Sequence, residues 1–299
     1  MATDAGMDER MTIESGTNGP ITTGPGRTAA GLFMDHFRIP PGDPDLGMLS
    51  VIVSYYSQIP YENITKIIRK FESADPDARL RDPVEVLRGF IEDRTGGTCF
   101  SLTWCLGSVL SGAGFRCRPA MADMKRPNVH CALLVRVGSG RYLVDPGYLL
   151  GEPVLLGGVP VTVQTSFGTV ELRPRGAASW DLFTTAGGER KWRYRLRTTP
   201  VPKAVFFRYW RDSFSLPMMN SLQLTRLTER GHLYIRDHHL RFQDAAGKVN
   251  ENIRPVLEQR IETEFGIPGG ITARAREHIE RMRESWRTHA QARRSRPLQ

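Results

Sequence analysis

No run of about 18 uncharged apolar residues occurs in the 299-residue chain, so no membrane-spanning helix is expected. The opening MATDAGMDERM carries acids and has no apolar core, so it does not read as a secretory signal. No G-x-G-x-x-G follows a strand-like stretch and no G-x-x-x-x-G-K occurs, which argues against a nucleotide-binding loop. Cysteine is scarce. Cys99, Cys105, Cys117 and Cys131 are spaced by 6, 12 and 14 positions, with no C-x-x-C pair, and fit no structural zinc pattern. They read as free thiols of a reducing compartment, which makes a cytoplasmic protein the expectation. The 29 Gly and 20 Pro follow no period, and there is no internal repeat, so fibrous and solenoid architectures are excluded.

What remains is globular. The chain is 40% hydrophobic and 24% charged, and its length suggests about two compact units. Net charge is +9, of which Ile271–Gln299 supplies +5 through eight Arg against three Glu. Basicity therefore belongs largely to the tail. Arg276-Glu280 and Glu277-Arg281 spacings there read as helical ion pairs, and nucleic-acid contact is not expected. Residues 1–30 lack an apolar period and are expected to be a disordered leader. Helical spacing marks Leu46–Val53, and Asp82-Pro83 reads as the cap and first turn of a helix to Ile91. Ser101–Gly112 reads as a buried helix. His130–Val137, Arg141–Asp145, Val161–Gln164, Thr169–Leu172, Trp192–Arg197 and His232–Phe242 read as strands. Arg254–Phe265 and Ala273–Gln291 read as helices. Helices, then mostly strands, then both, make an α+β protein.

The chemistry concentrates between Arg94 and Gly151. Cys99 follows Gly96-Gly97 and sits near a helix start, where the helix dipole favours a thiolate and free N–H groups favour an oxyanion. A thiol nucleophile needs a base, and the base needs an orienting group. If Gly138-Ser139 forms a two-residue hairpin turn, Val137 pairs with Gly140, and His130 and Asp145 become diagonal neighbours on one face, roughly 7–8 Å apart. That register also sets Arg136 opposite Arg141, and a three-residue loop would separate the pair. Trp104 reads as a core residue. His232 and His238 would share a face of one strand, but no carboxylate or thiol accompanies them, so no metal is expected.

The segment resembles the arylamine N-acetyltransferase family. Its Arg-x-Gly-Gly-x-Cys, strand-opening His and Val-Asp-x-Gly correspond here to Arg94, Gly96, Gly97, Cys99, His130, Val144, Asp145 and Gly147. Ile59-Pro60-Tyr61-Glu62-Asn63 is similar to its Pro-Phe-Glu-Asn element, and Phe33–Ile39 to its opening helix. Trp210–Asn220 and Gly231–Phe242 resemble, more loosely, strands of its last domain. The resemblance implies a papain-like thiol-enzyme core. After the leader it implies a helical domain over 31–115, a β-barrel over 116–200 and an α/β domain with a basic helix over 201–299. It implies a Cys99-His130-Asp145 triad and ping-pong transfer of an acetyl group from acetyl-CoA, through a cysteine thioester, to an arylamine-type nitrogen. The partners implied are acyl-CoA and a small amine, with no metal and no membrane; no residue is assigned to the coenzyme.

The chain departs from the family pattern in four places. Ser101 stands for a Glu, Thr103 for an Asn and Thr98 for an aromatic residue, and Pro146-Gly147-Tyr148-Leu149-Leu150 for a glycine-rich gate. These positions are expected near the mouth of the site. They leave open an amide synthase or transglutaminase-like chemistry on the same triad, or a non-catalytic binding module.

Overall fold

A computed structural model describes residues 28–148, 150–199 and 201–294. The first third is helical: α1 (Ala29–Phe37), α2 (Leu46–Tyr56), α3 (Ile64–Glu72), α4 (Pro83–Asp93) and α5 (Cys99–Gly112), with a two-residue strand β1 (Tyr61–Glu62) before α3. Local chemistry sets the starts. Asp45 accepts from the Met48 N–H, and Asp82 and Glu85 form a capping box with Pro83 in the first turn. The leader boundary drawn at residue 30 falls inside α1. Thr28 caps that helix, and Ala29 and Ala30 are buried, Ala30 lying against Gly112 of α5. The rest of the leader lies outside the described residues.

Eight antiparallel strands follow: β2 (Arg116–Asp123), β3 (His130–Val137), β4 (Gly140–Val144), β5 (Val154–Leu155), β6 (Val161–Thr165), β7 (Gly168–Pro174), β8 (Ser179–Ala186) and β9 (Glu189–Arg197). Their spatial order is β5-β4-β3-β2-β9-β8-β7-β6, and the edges β5 and β6 touch, giving a nearly closed barrel. Ala132, Leu134, Leu143, Leu182, Tyr194 and Leu196 fill the interior. The outer face of β3, with Cys131, Leu133 and Val135, packs on the helices, so this strand is apolar on both sides. The β3–β4 turn is the expected Gly138-Ser139. Only Gly138 has positive φ (55°), as in a type II′ hairpin, and Val137 pairs with Gly140. The same register aligns Arg116, Arg136 and Arg141 across three strands, a like-charge row that opposes stability.

The last third contains α6 (Lys203–Asp212), β10 (Gln223–Thr228), β11 (Gly231–Arg236), β12 (His239–Gln243), β13 (Lys248–Asn252), α7 (Leu257–Phe265) and α8 (Gly269–Arg294). Two sequence expectations are corrected here. Trp210–Asn220 is no strand; it is the end of α6 followed by two 3-10 turns, because Phe206 and Phe207 pack on Phe100 and Trp104 of α5 and Trp210 packs on both phenylalanines. His232–Phe242 is two strands, broken where Asp237 adopts φ 49°. Packing crosses the boundaries at 115 and 200. β1 is the edge strand of the sheet β1-β10-β11-β12-β13, and Ile64 and Ile67 of α3 join its core with Ile261 and Ile279. No helix among the described residues is long and apolar enough to cross a membrane.

Candidate active site

Cys99 is the first residue of α5, at the helix start where the Gly-Gly-x-Cys turn is expected to put it. Thr98 caps it in extended geometry without a side-chain hydrogen bond, so no side chain occupies the first-turn N–H groups. The glycines before it are there for want of space. A Cβ on Gly96 would stand 1.8 Å from the Pro60 carbonyl oxygen. The Gly97 carbonyl accepts from the Glu62 N–H at 3.0 Å, tying the loop to β1. Arg81 holds it from the other side, donating to the Gly96 carbonyl at 2.5 Å and to the Glu85 carbonyl at 2.9 Å. Arg81 was not singled out in the sequence. Arg94, which was, is exposed: it ends α4 in the left-handed region and lies over Phe90.

His130 opens β3 and Asp145 directly follows β4, both on the barrel side. His130 Nε2 is 2.8 Å from Asp145 Oδ2, and both residues are buried. The Tyr148 N–H donates to Asp145 Oδ1 at 2.9 Å, and the Tyr194 hydroxyl donates to Oδ2 at 2.6 Å. The Tyr194 ring lies 4.7 Å from the imidazole. With Nε2 engaged, Nδ1 is the nitrogen left for the thiol, and Cys99 and His130 both stand against Gly147. Gly147 lets the chain pass: a Cβ there would stand 2.5 Å from Cys99 Cβ and 3.0 Å from His130 Cε1. All three sequence-predicted residues thus come together.

Charge polarises this cluster. The neighbouring Cys131 thiol, and with it the adjacent His130 imidazole and its charge, draw the Cys99 thiol well below its ordinary range despite burial. Burial disfavours the imidazolium, but the Asp145 carboxylate and Cys99 outweigh it and push His130 up to about 10. The other thiols go the opposite way. Burial raises Cys105 to about 12 and Cys117 to about 11, and Cys131 is raised as well. The arrangement favours a thiolate–imidazolium pair at neutral pH.

Thr98, Ser101 and Thr103, expected near the mouth of the site, are buried, as Cys99 itself is. Ser101 bonds the Thr98 carbonyl and Thr103 the Cys131 carbonyl, so they serve the packing of α5. The histidine strand is corrected. His232 is on β11, hydrogen-bonded to Thr225 and against Phe167, whereas His238 is in the following turn. Among the described residues, no group of three His, Cys, Asp or Glu is disposed to hold a metal.

Tyr194 was missed because its partner is 49 residues away. Burial and the Asp145 charge keep its phenol protonated, so it remains a donor. Tyr194→Phe is expected to lower kcat/KM by about tenfold, as loss of one hydrogen bond to a charged group does. Steady-state kinetics beside a thermal melt checks this.

A family model described as N-acetyltransferase matches residues 45–268. The chain belongs to the arylamine N-acetyltransferase family. Solved arylamine N-acetyltransferases share its fold, including the papain-like core. The Mycobacterium smegmatis protein is 23% identical, with a TM-score of 0.69 over 83% of this chain and 97% of its own. The Mycobacterium abscessus protein is 19% identical, with a TM-score of 0.72 over 84% and 94%. The Mycobacterium marinum protein in complex with CoA is 19% identical, with a TM-score of 0.71 over 84% and 98%. No curated protein matches the sequence.

Proposed function

We propose that the protein is an acyltransferase that moves an acetyl or other short acyl group from acyl-CoA to an arylamine-type nitrogen, with Cys99, His130 and Asp145 as its catalytic residues. The observation that carries the reading is Cys99 as the first residue of α5, beside an imidazole fixed by a buried carboxylate. The M. marinum relative binds CoA, which supports a CoA thioester as donor here. Cys99 thiolate attacks the donor carbonyl, forming a C–S bond. The first-turn N–H groups of α5 are suited to the developing oxyanion. The donor C–S bond then breaks, and the leaving CoA thiolate takes the proton from His130. In the second half, the amine attacks the cysteine thioester and gives its proton to His130. The new C–N bond forms, and Cys99 leaves as thiolate. Asp145 stabilises the imidazolium of the resting pair, before the first half and after the second. The four free cysteines suit a reducing compartment such as the cytoplasm.

The test is intact-mass measurement after brief mixing with acetyl-CoA and no amine. One acetyl group per chain on the Cys99 peptide, with CoA release, is expected. CoA release only in the presence of amine would overturn the thioester route.

A further inference from the structure

Lys66, on α3, is only 6% exposed. Its ammonium donates to Ser213 Oγ at 2.5 Å and lies 4.7 Å from the centre of the Phe214 ring. Among the described residues no carboxylate pairs with it. An ammonium has three N–H donors, and a buried one with a single partner opposes folding. Burial lowers Lys66 to about 8, and the neighbouring Cys99 and Cys131 thiols act to raise it. The ammonium therefore lies within the field of the nucleophile, yet the acyl-transfer steps do not use it.

Its surroundings suggest what it is for. Ser213 is the buried inner wall of a cleft of about 360 Å³, also lined by Asn128, Val129, Tyr209 and Leu216. The Val129 carbonyl oxygen is 3.9 Å from Cys99 Sγ, so the cleft borders the nucleophile. The remaining lining charges, Arg126 and Asp212, are opposite in sign, and both are exposed. An under-bonded cation behind the inner wall of a cleft beside a nucleophile is suited to a carboxylate, which charge-assisted hydrogen bonds recognise well.

We propose that Lys66 is a specificity-determining residue: its ammonium takes a carboxylate carried by the acyl group or by the amine, and selects such substrates over neutral ones of the same shape. The inference rests on the acyl-transfer reading of this site. A role confined to the Cys99 thiolate would change all donors alike, so the readout is a ratio of rates. With the full chain, thioester formation is compared for succinyl-CoA and butyryl-CoA. Discharge of the acetyl-enzyme is compared for 4-aminobenzoate and 4-aminobenzamide.

At least one pair is expected to favour the anion by about tenfold or more, the least that one charged hydrogen bond supplies. Which pair does so identifies the bearer of the carboxylate. Lys66→Met should abolish the ratio, and Lys66→Arg should keep part of it. A wild type that forms the acetyl thioester without preference in either pair overturns this inference alone, whatever the variant does. So does a preference that Lys66→Met leaves intact. No thioester from any donor overturns the acyl-transfer reading and this inference together.

Discussion

Cys99→Ser is expected to lose activity by roughly three orders of magnitude or more while keeping its thermal midpoint close to wild type. The oxygen is nearly isosteric with sulfur, so the packing around α5 persists. What is lost is ionisation. His130, although raised to about 10, is far too weak a base to hold a serine alkoxide, whereas it readily holds a thiolate. The same contrast gives a labelling result. The protein has four buried cysteines, of which only Cys99 is lowered; the other three are raised. Iodoacetamide at pH 7 should therefore modify one site, and Cys99→Ser should take up almost none. Peptide mapping, with kcat/KM measured in parallel, checks both. Wild-type turnover in Cys99→Ser would make the thiol a bystander.

The reach of the sequence can be traced in the same residues. Gly96, Gly97 and Cys99 sit side by side, so close backbone passage and a helix start were legible. His130 and Asp145 were legible because the hairpin register depends on only two turn residues, Gly138 and Ser139, and parity then fixes the face. Contacts made across long separations were not. Tyr194 reaches Asp145 from β9, three strands away from β4 in the sheet, and Lys66 meets Ser213 across 147 positions. Helix α6 was hidden by its own composition: Phe206, Phe207, Tyr209 and Trp210 favour strands, and packing on α5 overrides that preference. Strand β13, KVNEN, is exposed throughout and has no apolar alternation to find. It is a strand only because β12 offers it an edge.

His130→Ala is expected to cost about a thousandfold or more in kcat/KM, and Asp145→Asn about a hundredfold or more. The two losses differ in origin, and pH separates them. A thiol whose pKa is lowered is ionised at every pH above that lowered value. Wild-type alkylation should therefore rise on the acid side of neutrality and be flat by pH 7. Removing His130 removes its hydrogen bond and charge from Cys99 but leaves the Cys131 contact and Lys66 in place. The midpoint of alkylation should move upward, toward the ordinary thiol value of about 8.5. Asp145→Asn keeps the imidazole and loses the charge that raises it. The upper limit of the thiolate–imidazolium pair should then fall from about 10 toward neutrality, narrowing the active window from the alkaline side. Tyr194 and the Tyr148 N–H donate to Asp145, so the amide also meets two donors where the carboxylate accepted them. Because Asp145 acts through His130, the double variant should be little worse than His130→Ala alone. Rates measured from pH 5 to 10 for the four proteins decide it. Losses that simply multiply would show that Asp145 and His130 act independently.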